Sequence, residues 1–486
     1  MAIQQEEEEV EVLVERIHVA MLPYLAFGHM LPFFNLSVAL ARSGAVRVSY
    51  LSTPGNLRRL PPPPSDLPPG VLEMVPLEFP ETPRDGEGNV LEGESTLDLP
   101  FDHVQFLKAA FDLLCKPLAE FLDHSPVGFM ILDFASPWAC EVAHKRGIPV
   151  GLFSVFNASS FAFFGSPDDL VGESKRRLRS SPEGLTSPPP WLGFSSLVAY
   201  RPHEAPWVLA GFYGENASGT SDARRLADML MCCDFVAIRS CYEFEGPYLD
   251  VVRKLMGKPV IPLGLLPPNA SMDQPKQDSD RDLLDWLNER KEKSVVFVAF
   301  GTESRISKEQ VQEIARGLEL SKIPFLWVLS KPVWATAAAS VNEILPGGFS
   351  QRTSSVGRVH IGWVTQGLVL AHPSIGGCLF HSGWSSIVEM LRFGHRLVAM
   401  PLVIDQPLLA KLLVEKGLAV EVEVRDKDGS YTGEAIAGAL KEAMESEIIG
   451  ARAWEHANIF ADMELHQGYL AKFIDYLKTY HNKVEK

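Results

Sequence analysis

Apolar positions along this chain alternate between two kinds of run. Short continuous runs read as strands buried on both faces. Runs with apolar residues three and four apart read as amphipathic helices. Residues 16–24 (RIHVAMLPY) make a strand of the first kind. Leu36, Ala39 and Leu40 then recur at helical spacing until Gly44 stops the helix, and 46–52 read as the next strand. LPPPPSDLPPG at 60–70 has to run as an extended surface loop. Phe106, Ala110, Leu113, Leu114 and Phe121 predict a helix over 101–123. Strand 129–134, helix 139–146 and strand 149–153 follow, and helix 223–231 leads to strands 235–239 and 260–263.

Between them, from about 165 to 225, the pattern dissolves into Pro, Gly and aromatic residues. Trp191, Phe194, Trp207, Phe212 and Tyr213 carry too much apolar surface for a disordered excursion, so the insertion is expected to build a binding site or a lid. The polar, Pro-broken stretch 265–282 reads as an interdomain linker. Alternation then restarts: helix 283–290, strand 295–300, helix 308–321, strand 325–329, strand 358–364, strand 377–381, helix 384–393, strand 396–402, helix 405–416 and strand 418–423. Leu470, Phe473, Ile474 and Leu477 make a last amphipathic helix. Both halves carry the βα grammar of doubly wound parallel sheets, so the fold class is α/β in two domains, 16–264 and 283–460. Residues 1–15 form an acidic tail and 461–486 a terminal helix.

The chain's 486 residues exceed one ordinary core, which agrees with two domains. A formal charge of −16 argues against a nucleic-acid partner. No apolar run is long enough to span a membrane, and the acidic start lacks the basic and apolar regions of a signal peptide. The six cysteines form no CxxC pair. They read as buried thiols in a reducing, cytoplasmic setting, not as disulfides or a zinc site. A monomer is expected.

The chemistry concentrates in 363–406, WVTQGLVLAHPSIGGCLFHSGWSSIVEMLRFGHRLVAMPLVIDQ. A strand ends at His381, the chain turns through Ser382 and Gly383, and Ser385 and Ser386 open a helix. In open parallel sheets ligands sit beyond the carboxyl ends of the strands, and a helix start there suits a phosphate. Glu389 lies one turn deeper, where a carboxylate suits a diol such as a ribose. Trp363 is placed to stack on a base, and Asp405 and Gln406 to bind sugar hydroxyls. Each residue alone also has a plain reading, as cap, core or solvated face; the ordered spacing is what points to a nucleotide-sugar.

This stretch resembles the signature box of plant UDP-dependent glycosyltransferases. The match runs through Trp363, Gln366, His372-Pro373, Gly376-Gly377, His381–Trp384, Glu389, Met400-Pro401 and Asp405-Gln406, with further likeness in the AFGHMLP start and the VVFVAFGT strand end. The resemblance implies a GT-B arrangement, two Rossmann-like domains facing across a cleft, with the C-terminal domain holding the UDP-sugar, the N-terminal domain the acceptor, and the last helix crossing back. It implies that Trp363 stacks on uracil with the Val364 backbone at its edge, that Gln366 and Glu389 address the ribose, and that Thr302, His381, Gly383, Ser385 and Ser386 hold the diphosphate. Trp384, Asp405 and Gln406 would contact the sugar, and the terminal Gln accompanies glucose in the family. It requires no metal and no cofactor beyond the UDP-sugar co-substrate. Two departures stand out: Ser385 replaces a usual phosphate-binding Asn, and Thr365 a usual Pro.

His29 and Asp133 match the family's catalytic base and its supporting carboxylate, each at the carboxyl end of a predicted strand. The implied activity is inverting transfer of a sugar, glucose first, to a hydroxyl of a small hydrophobic metabolite. The segment 94–100 resembles the branch that extends an existing sugar, so a glycoside acceptor is a second option. UDP-rhamnose, UDP-xylose and UDP-galactose stay open as donors. Phe101, Phe156, Phe161, Phe163, Phe164, Trp191 and Trp207 are candidates for the acceptor pocket, with core packing the alternative. A noncatalytic nucleotide-sugar-binding protein is the alternative that Ser385 raises. A nicotinamide oxidoreductase is disfavoured because no GxGxxG follows the first strand.

Overall fold

In the computed structural model the described residues are 16–267, 278–332, 334–335, 340–425 and 428–484. The acidic tail and most of the expected linker lie outside them; a helix already begins at Asp278, within the expected linker.

Two all-parallel sheets organise the chain. The first has β1 (Ile17–Leu22), β2 (Val46–Ser52), β3 (Leu72–Pro76), β4 (Phe129–Leu132), β5 (Val150–Ser154), β6 (Phe235–Ile238) and β7 (Val260–Pro262), in the order β3-β2-β1-β4-β5-β6-β7. The second has β8 (Val295–Ala299), β9 (Phe325–Leu329), β10 (Gly357–Ile361), β11 (Ile375–Phe380), β12 (Arg396–Ala399) and β13 (Ala419–Glu421), in the order β10-β9-β8-β11-β12-β13. Helices cover both faces of such a sheet, so its inner strands need apolar residues at every position. β1, β4 and β8 are buried throughout, and their sequences run apolar without alternation apart from His18 in β1, whose ring is paired with Pro126 O and Ser49 Oγ.

Each sheet reverses its winding once. In the first, β1 pairs β2 on one side and β4 on the other; in the second, β8 pairs β9 and β11. Chain leaving the two central strands of each sheet therefore diverges, and a crevice opens between the loops.

Several elements depart from the sequence reading. The expected helix 101–123 is a short turn followed by two helices, Val104–Asp112 and Cys115–His124. Pro117 has no N–H to give Leu113, so one continuous helix would lose that bond. A helix over Tyr242–Met256 was hidden by Gly246-Pro247; its start is kinked at Glu245. Glu245 is fully buried and accepts from Ser240 Oγ, Asn157 Nδ2 and the Ala158 and Ser159 amides, so it caps the helix Ala158–Phe164. Cys140 and Cys232 form a disulfide, against the expectation of six thiols. Their helices, Pro137–His144 and Asp222–Cys232, pack side by side, a proximity that 92 residues of separation conceal in the sequence. The other four cysteines are free.

The last helix, Met463–Val484, lies against the first sheet. Phe473, Ile474 and Leu477 belong to the same apolar cluster as Ile17, Val19 and Phe129. Phe473→Ala should cost about 3–5 kcal/mol, as truncation of a fully buried aromatic does. Chemical denaturation measures the loss, and limited proteolysis should show earlier cleavage within 463–484.

Candidate functional site

His29 stands in the first turn of the helix Phe27–Arg42, which follows β1 at the crevice of the first sheet. Asp133 follows β4 at the same crevice. The fold thus joins two residues 104 apart: His29 Nδ1 lies 2.8 Å from Asp133 Oδ2. An ionised carboxylate only accepts, so Nδ1 carries the proton and Nε2 is the free lone pair. Asp133 is 2% exposed and also accepts from the Tyr24 and Phe134 amides, which fixes its position. Burial by itself would lower the His29 pKa. The charges of Asp133, Glu303 and Asp405 outweigh it and raise the imidazole above its ordinary 6.5.

Across the cleft, β8 ends in the Gly301-Thr302 turn and β11 in His381, again the two sides of a crevice. Gly301 has φ +76°, and a Cβ there would stand 2.9 Å from the His381 ring; a Cβ on Gly383 would stand 2.5 Å from it. Glycine at both places lets the imidazole sit between the two turns. Burial pushes His381 down to about 4, so the ring is neutral at pH 7. Its Nδ1 and the fully buried Ser382 Oγ have no hydrogen-bond partner among the described residues. Ser382 bends the chain at φ +67° into the helix Trp384–Leu391, whose first turn presents Ser385 and Ser386. The unpaired amides of a helix's first turn, together with two hydroxyls, are groups that suit an anion.

Gln366 Nε2 donates to Glu389 Oε2 at 2.7 Å, so the two residues expected at a ribose already meet. Trp363 is half-exposed (52%) beside the buried Val364. Thr365, the second departure, donates its amide and hydroxyl to the buried Asp280, contacts a proline could not make. Gln406 uses its Oε1 to accept from Leu402 and Val403, which shapes the turn before its own helix. Burial pushes Asp405 up to about 6, while His29 across the cleft pulls it down. The Trp384 indole is committed elsewhere: it stacks on Phe244 and donates to Arg239 O. The ring is buried in the seam between the domains.

The aromatic candidates separate. Phe156 lies 6.1 Å from the His29 ring, with Phe161 and Phe164 packed behind it. Phe134 and Tyr24, which sequence reading missed, complete that wall at 5.5 and 5.9 Å. Phe163 packs on Tyr200 and beneath Arg179. Trp191 donates to Ala162 O and packs against Arg176 and Arg179, a structural role. Phe101 (75% exposed) and Trp207 are exposed, so neither forms part of the buried wall around His29.

Glu303 was also missed. It reaches from the second domain to the Phe27 and Gly28 amides at the start of the His29 helix, and accepts from Thr96 Oγ1 at 2.5 Å. That helix has no side-chain cap of its own, because Ala26 stands at the N-cap. Arg305 donates to Thr96 O and Leu99 O, so 94–100 is gripped by the loop that follows Thr302. The irregular insertion makes a second bridge: Tyr200 donates to Ile404 O, and Ser196 and the Leu197 amide bond Glu415. No local pattern announces these contacts; the uncapped helix start was the one signal in the sequence.

The model of the family "UDP-glucoronosyl and UDP-glucosyl transferase" matches residues 258–471. UDP-glycosyltransferase 91A1 of Arabidopsis thaliana is 36% identical over 473 residues, covering 96% of this chain and 97% of its own. The soyasaponin III rhamnosyltransferase of Glycine max is 35% identical over 471 residues, covering 96% of each chain. The fold is that of Medicago truncatula UGT71G1 complexed with UDP-glucose, at a TM-score of 0.74 and 21% identity, covering 96% of this chain and 99% of that one. Two parallel α/β domains facing across a cleft are the GT-B arrangement. The chain belongs to the plant UDP-glycosyltransferases, enzymes that transfer a sugar from a UDP-sugar.

Proposed function

We propose that the sugar transferred is glucose, that it goes with inversion to a hydroxyl of a small hydrophobic plant metabolite or of its glycoside, and that His29 is the general base. The observation that carries this reading is the His29–Asp133 pair, set in an aromatic wall and within electrostatic reach of Glu303 and Asp405 of the other domain. His29 Nε2 takes the acceptor's O–H proton. The acceptor oxygen forms a bond to the anomeric carbon as the bond from that carbon to the diphosphate breaks, through an oxocarbenium-like state. Asp133 stabilises the imidazolium. The departing diphosphate is met by the amides of the Trp384–Leu391 helix, by Thr302, Ser385 and Ser386, and by a neutral His381 N–H. Trp363 stacks on uracil, Val364 bonds its edge, and Gln366 and Glu389 take the ribose. Asp405 and Gln406 take the sugar. A concave pocket between Thr96-Leu97 and 300–306 adjoins this site.

Gln406 supports glucose as donor. The similarity to a rhamnosyltransferase favours UDP-rhamnose as the second reading. Mass spectrometry of an acceptor library of phenolics, terpenoids and their glycosides, with UDP-glucose, UDP-rhamnose, UDP-xylose and UDP-galactose, should give glucosides. Rhamnosides as the dominant products would overturn the donor, and no product with any donor would overturn the reading.

His29→Ala should lower kcat by about 10²–10⁴-fold while UDP affinity stays within about 2-fold. A parallel loss of both would remove His29 from the chemistry. The base must be neutral to act. Asp133 favours the protonated ring, so activity should fall as pH drops through a value above 6.5. In Asp133→Asn the largest raising charge is removed while burial remains, so the imidazole should titrate below its wild-type value when followed by NMR of its ring protons.

A further inference from the structure

Arg239 follows β6 in the first domain and is 2% exposed. Its Nε donates to Leu265 O at 2.7 Å and one terminal nitrogen to Leu266 O at 3.5 Å, both on the chain leaving that domain. The other terminal nitrogen crosses the seam and donates to Ser385 Oγ at 2.8 Å. The Trp384 indole returns a bond to Arg239 O at 2.9 Å, so residues 239 and 384–385 are tied in both directions. All three acceptors of the guanidinium are neutral oxygens. Burial lowers its pKa to about 10, with Glu389 opposing, and the side chain stays charged at pH 7.

A buried cation held by neutral groups, at the first turn of a helix, adds to the positive end of that helix. Ser385 Oγ accepts from Arg239, which leaves its own O–H to donate and makes it a stronger donor. Beside it, Ser382 Oγ is fully buried with no partner among the described residues, a polar atom that a ligand would satisfy. We propose that Arg239 is a diphosphate-binding determinant supplied by the opposite domain. It acts through Ser385, whose hydroxyl relays the guanidinium's polarisation to the nucleotide. This rests on the assignment of the Trp384–Leu391 helix start to the diphosphate. It gives a role to the serine that stands out in the sequence, because serine accepts the Arg239 bond and keeps a donor for the ligand.

Isothermal titration of UDP and uridine into wild type, Arg239→Met, Arg239→Lys and Ser385→Ala tests it. Wild type should bind UDP more tightly than uridine; equal affinities would overturn the diphosphate assignment itself. Arg239→Met should weaken UDP by about 10-fold or more and uridine by less than about 2-fold, because the guanidinium bonds the serine assigned to the diphosphate. Arg239→Lys keeps the charge and should lose less than Met. Ser385→Ala should weaken UDP by about 3–10-fold with uridine unchanged. Equal losses for UDP and uridine, or none, would make Arg239 a packing residue and overturn the proposal. If the melting curve shows that Arg239→Met is unfolded, Ser385→Ala decides by the same two readings.

Discussion

Each sheet changes its winding direction once, and the chemistry of the chain gathers at those two places. Strands buried on both faces cannot carry functional groups along their length without burying unpaired polar atoms. The groups have to stand beyond the carboxyl ends, where the loops diverge. β1 and β4 deliver His29 and Asp133 to one crevice, and β8 and β11 deliver Thr302 and His381 to the other. In the proposed reading each crevice is half a site, and only their facing arrangement makes a whole one.

That arrangement is held by contacts close to the reacting groups. Glu303 caps the helix that carries His29, and it sits one residue from Thr302. The insertion bonds Ile404, beside Asp405. Arg239 bonds Ser385 at the helix start. Domain position and site geometry are therefore coupled: a shift of one domain against the other would uncap the His29 helix and unmake the Arg239–Ser385 bond together. The charges that raise the His29 pKa come from both domains, Asp133 from the first and Glu303 and Asp405 from the second.

Much of this was legible in the sequence, for physical reasons. Strands covered on both faces leave continuous apolar runs, and twelve of the thirteen strands among the described residues overlap predicted runs; the edge strand β3 does not. The donor half lies in one contiguous stretch, where spacing along a strand, turn and helix carries the geometry. The acceptor half does not. Tyr24, Phe134 and Arg239 fall within or at the end of predicted strands and Glu303 just past one, and each meets its partner only through the tertiary fold. The Tyr242–Met256 helix was obscured by a Gly-Pro pair that the structure tolerates at a kink, and the Cys140–Cys232 bond by helices that meet only after folding.

If the two crevices form one site, the second holds the nucleotide. A crystal structure of the chain with UDP bound tests it most directly. Uracil should stack on Trp363, with ribose at Gln366 and Glu389 and the diphosphate within hydrogen-bond reach of Ser385 and Ser386. A nucleotide seated in the first crevice, or a diphosphate away from the start of the Trp384–Leu391 helix, would contradict it.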